Sequence, residues 1–392
     1  MRGEGKPVNV AVYQPVIPDY RVPFFTALHR RREIELEIFA SMSFPLCPET
    51  PGRDFEFLFR PVPGRSFLNN RLFWQSGLEV PARFQQGDVL VLCGNPRYVS
   101  NYPLLLAARM RGLGVVWWGH GHTPGSRRWS ENVRKEIMRL ADVILLYTDR
   151  EVDEYRRSGF PEDCLTATNN TIDVSDVEMA MESWTPSRLA EFKQERGIHE
   201  GRNFLFCGRI TGKARLGDAL DAMATLVRED PGCRLIVIGD GPEKGALQAR
   251  SRELCLERNV EWVGALYGQY ELAPWFLSAL AFVYPGSIGL SLLHAFAYGL
   301  PVVTHDLGHR HNPEFAALES GVNGMVFRYG DVSSLAQAMR ALGREPAKAR
   351  ELGAQALKTI REDFPMTNMV ERFVQAALFA SRKAGRRRAG AA

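Results

Sequence analysis

The chain has 392 residues, of which 45% are apolar and 24% charged. That length fits two domains better than one ordinary core, and the composition excludes a disordered chain or a membrane bundle. The net charge of +4 depends on the last twelve residues, SRKAGRRRAGAA, whose five basic groups (Arg382, Lys383, Arg386, Arg387, Arg388) are joined by no acid, and without them the balance is −1.

Such a tail is expected to be a solvated, disordered segment at 381–392, with weak contact to anionic lipid or RNA as the alternative. Nucleic-acid binding would need a basic face with interleaved aromatics on the folded body, so it is not expected. Six cysteines (Cys47, Cys93, Cys164, Cys207, Cys233, Cys255) form neither a C-x-x-C nor a Cys/His cluster. Zinc-ligand spacing and a disulfide framework are therefore both missing, and no metal site is expected. MRGEGKPVNVAVYQP lacks the apolar core of a signal peptide, and a reduced, cytoplasmic protein is the expectation.

Strand candidates open the chain at VNVAVYQP (8–15), ELEIFA (35–40), DVLVLCG (88–94), GVVWWGHG (114–121) and DVILLYT (142–148). A helix beginning near Val22 follows the first, and PLLLAARMRG and SENVRKEIMRLA separate the later ones. Alternation of this kind predicts a doubly wound α/β domain over 1–175. The polar stretch that follows has no strand-like run and reads as a linker over 176–200.

The pattern restarts with NFLFCGRI, CRLIVIGDGPE, VEWVG, ALAFVYP, PVVTH and GMVF, which gives a second α/β domain over 201–360. A C-terminal helix is expected over 361–380. Between Leu272 and His305 there is no Asp, Glu, Lys or Arg. Pro274, Pro285-Gly286, Gly289 and Gly299-Leu-Pro301 cut that stretch too often for a membrane span, which needs about 20 helical residues. Buried strand, loop, short apolar helix and second buried strand account for it better.

Ligand sites of such sheets lie at the C-terminal ends of the strands, and two domains imply a cleft between them. CGRITGKARLGDALDA places Gly208 and Arg209 after a strand and Lys213 and Arg215 at a helix start, where cations beside a helix N-terminus suit a diphosphate. VIGDGPE offers a tight glycine turn. Gly286-Ser287-Ile288-Gly289 leads into a helix from Leu290 to Tyr298, apolar except for Ser291 and His294. His294 reads either as a satisfied core histidine or as a group that meets a ligand over the loop. In the first domain His120, between two glycines, suits contact with a reacting sugar or proton transfer, with His122 as its rival. Asn95, Asn101, Asn169 and Asn170 offer uncharged hydrogen-bonding groups for hydroxyl-rich ligands.

Taken in order, YRVPFFTAL, RLADVILLYTDREVDEY, NNTID, FCGRI, VIGDGPE, VGAL, AYGLPVV and ESGVNGMVF resemble the family 4 glycosyltransferases, whose GT-B fold has two facing Rossmann-like domains. The resemblance implies transfer of a sugar from a nucleoside-diphosphate sugar to a glycan or polyprenyl-linked acceptor, with retention and without a metal or other cofactor. With it, Arg209, Gly264, Gly286, Ser287, Ile288, Gly289, Leu290 and His294 are expected at the donor, joined by Lys213 and Arg215 as flanking substitutes for an absent family lysine; His120, Arg209 and Lys213 are expected in catalysis, and Tyr20, Asn95 and Asn170 on the acceptor side. The family usually carries a Glu at each end of a nine-residue window, and those ends are Gly286 and His294 here. Its phosphate-binding Lys falls at Ala214. The backbone N–H groups of Ile288, Gly289 and Leu290 are expected to hold the diphosphate in their place. A peripheral position at the inner face of the cytoplasmic membrane is compatible with the apolar and basic residues of VPFFTALHRRR and PLLLAARMRG. A non-catalytic nucleotide-sugar-binding or scaffold protein is the alternative from another class, and a sugar-nucleotide epimerase a lesser one.

Overall fold

The computed structural model describes residues 6–45, 47, 49–121 and 128–389. They divide into two compact units, Met1–Asp173 with Met366–Ala392, and Val174–Pro365.

The first unit comprises β1 (Val8–Tyr13), α1 (Val22–His29), β2 (Ile34–Ala40), β3 (Leu58–Pro61), the hairpin β4 (Gly64–Phe67) and β5 (Leu72–Gln75), β6 (Val89–Cys93), α2 (Asn101–Arg111), β7 (Gly114–Trp118), α3 (Arg128–Met138), β8 (Val143–Leu146), α4 (Asp149–Arg157) and β9 (Leu165–Ala167). Its parallel sheet runs β3-β2-β1-β6-β7-β8-β9. The strands are apolar throughout because both faces are covered: Val10 and Val12 pack with Phe24, Phe25 and Phe373, whereas Ala11 and Tyr13 pack with Leu104 and Leu105. A reciprocal capping box of Thr148 and Glu151 starts α4, and Gly112 at φ 67° closes α2.

The second unit comprises α5 (Ser175–Ser183), α6 (Pro186–Glu195), β10 (Asn203–Cys207), α7 (Leu216–Glu229), β11 (Arg234–Ile238), α8 (Lys244–Glu253), β12 (Val260–Gly264), α9 (Gln269–Leu277), β13 (Ala281–Val283), α10 (Leu290–Ala297), β14 (Val302–His305), β15 (Gly324–Phe327), α11 (Val332–Arg344) and α12 (Pro346–Glu362). Its parallel sheet runs β12-β11-β10-β13-β14-β15. In both sheets the chain starts in the middle, winds outward, then returns to the other side of the first strand. The reversal leaves a switch point between β1 and β6, and another between β10 and β13. The uncharged stretch forms α9, β13, α10 and β14, and among the described residues no helix is long and apolar enough to cross a membrane.

Two boundaries differ from the expectation. The presumed linker 176–200 is folded into the second unit as α5 and α6. Val177 and Ala180 are buried, Thr185 caps α6 ahead of Pro186, and the Phe192 ring stands edge-on to Trp275 at 4.9 Å. The basic tail is not a disordered segment through 387: α13 (Met366–Ala389) crosses back to the first unit and continues through it. Met369, Phe373, Ala377, Ala380 and Ala384 are buried at helical spacing. Small residues carry the seam at its end, so the arginine run hides it from a reading by composition. Arg387 pairs with the buried Asp142 at 2.7 Å and donates to the Leu113 carbonyl.

Candidate active site

The exits of β10 and β13 flank the switch point of the second sheet, and there the candidate donor residues converge. After β10, Gly208 turns at φ 156°, and the residue facing it across the sheet must also be glycine: a Cβ on Gly239 would run into the Gly208 carbonyl oxygen. Gly239 donates its N–H to the Gly264 carbonyl at 2.8 Å, so the three strand exits β10, β11 and β12 are tied backbone to backbone. Gly264 itself turns at φ 93° with open space where a side chain would stand.

Arg209 and Lys213 are exposed, and neither side chain has a hydrogen-bond or ion-pair partner among the described residues. Arg215 is different. It sits at φ 52° as the N-cap of α7, pairs with Asp218 at 2.7 Å, and lies over the Tyr329 ring at 4.9 Å. Arg310 lies over the same ring at 4.6 Å and donates to its hydroxyl. Of the two residues that flank the missing lysine, only Lys213 is therefore uncommitted.

The loop after β13 is stitched to this segment. Ser287 donates its N–H to the Lys213 carbonyl at 3.0 Å, and a Cβ on Gly286 would collide with that same oxygen and lie 2.6 Å from the Ala214 carbonyl carbon. Ala214 is fully buried. Two of the three departures from the family pattern, Gly286 and Ala214, thus fall at one backbone contact.

The N–H of Ile288 is not free for a ligand, contrary to expectation. It donates to His311 Nδ1 at 3.2 Å, while His311 Nε2–H donates to the His305 carbonyl at 2.9 Å, which fixes the tautomer. His305 and His311 are buried and stacked at 3.7 Å. His305 accepts from the Leu307 N–H through Nδ1, and its Nε2 is buried with no hydrogen-bond partner among the described residues. Burial holds both imidazoles neutral, lowering His305 to about 3, with the neighbouring His311 adding to it, and His311 to about 4. Ser287 and Ile288 are hence supports of the loop. The amides of Gly289 and Leu290, at the start of α10, have no such bond among the described residues and remain open at the positive end of the helix.

His294 proves to be anchored. Its Nε2 bonds Gln269 Oε1 at 2.9 Å, which also accepts from the Tyr298 hydroxyl at 2.9 Å, and its ring stands edge-on to Phe276 at 4.9 Å. Burial lowers it to about 4. The core-histidine reading accounts for these contacts, and Nδ1 is the nitrogen left for anything further.

In the first unit, His120 is exposed at the end of β7 with its ring 4.6 Å from Tyr147. His122 lies outside the described residues. Asn170 is buried, and its N–H donates to the Tyr147 carbonyl at 2.9 Å, so His120, Tyr147 and Asn170 meet at the C-terminal end of this sheet. Asn95 and Asn101 are spent on their own loop: Asn95 Oδ1 accepts from the Arg97 N–H, and Asn101 Nδ2 donates to the Cys93 carbonyl. Asn169, at φ 48°, exchanges hydrogen bonds with Asp149 and shapes the turn out of β9. Tyr20 is 43% exposed beside Arg21, a residue that sequence reasoning missed. Among the described residues no group of three His, Cys, Asp or Glu could hold a metal ion.

Residues 201–345 match the family described as glycosyl transferases group 1. The chain is 23% identical to the alpha-D-kanosaminyltransferase of Streptomyces kanamyceticus over 273 residues, which covers 68% of this chain and 64% of that one. It is 30% identical to the glycogen synthase of Mycobacterium tuberculosis over 181 residues, 45% of this chain and 42% of that one. It therefore spans less than two thirds of each relative's length. Among solved structures, Anabaena HepE in complex with UDP superposes with a TM-score of 0.68 at 13% identity, covering 94% of this chain and 98% of HepE. Residues 201–345 are thus similar to the glycosyl transferases group 1, and the chain's two Rossmann-like units have the GT-B fold.

Proposed function

We propose that the protein is a glycosyltransferase of glycoconjugate or polysaccharide biosynthesis that moves a sugar from a nucleoside-diphosphate donor to a glycan or lipid-linked glycan. The observation that carries this reading is the pair of uncommitted cations, Arg209 and Lys213, at the switch point with the open amides of Gly289 and Leu290. A leaving diphosphate gathers negative charge as the glycosidic bond breaks, and fixed cations and amide dipoles stabilise it without reorganising. Arg209 and Lys213 take that role, and the charge they supply makes a metal unnecessary. Retention of configuration goes with the family resemblance. The UDP held by HepE supports a nucleoside diphosphate as the leaving group. His120 is the first unit's group for a hydrogen bond to the transferred sugar.

A second reading keeps binding without transfer, and the Gly286 contact favours it, because the usual carboxylate has no room in this backbone. Turnover of a panel of nucleotide sugars by the wild type and by Arg209→Ala separates the two. The transferase reading expects transfer or donor hydrolysis for at least one donor, reduced about 10- to 100-fold in the variant by the loss of a charge-assisted bond. Binding without turnover for every donor establishes the second reading. A folded Arg209→Ala with an unchanged rate removes Arg209 from the mechanism.

A further inference from the structure

Arg21 is only 7% exposed, and among the described residues it has no carboxylate partner. Its guanidinium lies 5.3–5.8 Å from the ring centroids of Tyr20, Phe24, Trp118 and Tyr147, and its one hydrogen bond is to the Met369 sulfur at 3.7 Å. A guanidinium cannot lose its proton, and aromatic faces and a thioether return only part of the hydration it gives up. The residue is also the N-cap of α1, where the helix dipole disfavours a cation and favours an anion. Both effects call for the same missing component, a negative charge.

The place fits a ligand. Arg21 ends the segment that leaves β1, one of the two strands at the first sheet's switch point. Tyr147 stands between Arg21 and His120, touching both. Sequence reasoning passed Arg21 over because the rings that bury it come partly from Trp118 and Tyr147, which are far away in the chain.

We infer that Arg21 is an oxyanion-binding residue of the first unit, and that its ligand is a phosphate or carboxylate carried by the acceptor. Calling that anion part of the acceptor rests on the transferase reading above, but the site can be tested without turnover. Arg21 supplies the charge, the four rings hold the guanidinium in one orientation, and Tyr20 is the exposed ring beside it.

The test uses the full chain carrying Arg209→Ala and Lys213→Ala, so that the second unit's cations do not report. Thermal unfolding is followed with increasing inorganic phosphate, glucuronate or, as the ionic-strength control, chloride. An oxyanion that binds only the folded state raises the melting temperature with the logarithm of its concentration. The expected result is a rise with phosphate or glucuronate beyond that with chloride, the stronger of the two identifying the acceptor's charged group. Adding Arg21→Met should abolish that rise. It should also leave the ligand-free protein as stable as before or more so, because an apolar chain of similar length replaces an unpaired buried charge. Arg21→Lys should keep part of the rise. No response in the Arg21 parent, or an equal response in the Arg21→Met variant, overturns the inference. So does an Arg21→Met protein that melts lower than its parent, since that identifies a guanidinium held for structure. Loss of transfer by Arg209→Ala bears on the donor assignment alone, so the two readings fail separately.

Discussion

Gly286 lies against the backbone at Ala214: a Cβ on Gly286 would meet the Lys213 carbonyl oxygen and come within 2.8 Å of Ala214's own. The carboxylate that the resemblance leads one to expect at Gly286 therefore cannot be restored by substitution alone. Gly286→Ala is expected to cost about 1–3 kcal/mol through forced backbone displacement, read as a lower urea midpoint at unchanged m-value. Gly286→Glu should cost at least as much and gain no donor. An unchanged midpoint for the alanine variant would show that the two segments part easily.

Lys213 and Arg215 should separate in donor binding. Lys213→Ala removes a cation with no partner among the described residues, whereas Arg215→Ala breaks a pair with Asp218 and a contact with Tyr329. The expected outcome is an increase in donor KM of about tenfold for Lys213→Ala, the equivalent of one charge-assisted hydrogen bond, and a clearly smaller one for Arg215→Ala. Equal effects would place Arg215 on the diphosphate despite its partners.

Much of this was legible beforehand, for identifiable reasons. Strands buried on both faces announce themselves as uninterrupted apolar runs, so β1, β2, β6, β7, β8 and every strand of the second sheet could be read in place. The exposed hairpin β4–β5, with its antiparallel pairing and positive φ at Leu68, Asn69 and Asn70, has no such run and was missed. At the site, residue types at strand exits pointed to Arg209 and Lys213 because a strand end and a helix start are both local signals. Which amides stay open is not local. Ile288 lost its role to His311, 23 residues away in sequence, and Arg21 gained one from rings on three other segments.

Three of the second unit's five histidines give it an acid-sensitive stability. His294, His305 and His311 sit at about 4, 3 and 4 in the folded chain, below the 6.5 of an unfolded histidine, because burial favours the neutral form. A depressed value means that the unfolded chain binds the proton first. The stabilisation is fully present above pH 6.5 and is lost as pH falls from there through about 4 for His294 and His311 and about 3 for His305, with a slope of up to about 1.4 kcal/mol per pH unit for each histidine. Melting temperature should fall over that window, and His294→Gln should flatten the slope. A variant with the wild-type slope would mean that His294 is protonated in the folded protein without penalty.

Arg387 closes the C-terminal helix onto the first unit through Asp142, a carboxylate only 2% exposed that also accepts hydrogen from the Val115 N–H and has Arg109 at 3.8 Å. Arg387→Ala leaves that buried carboxylate with its weaker partner, and is expected to cost about 2–4 kcal/mol. Lys383, which pairs with the exposed Asp163 at 3.4 Å, provides the comparison. Lys383→Ala is expected to cost less than about 1 kcal/mol, since both charges return to water when the pair is broken. Denaturant unfolding of the two variants side by side measures the difference. Equal costs would show that the helix is held by its apolar seam of Met369, Phe373, Ala377, Ala380 and Ala384 alone, with the arginine run as the solvated tail that its composition suggests.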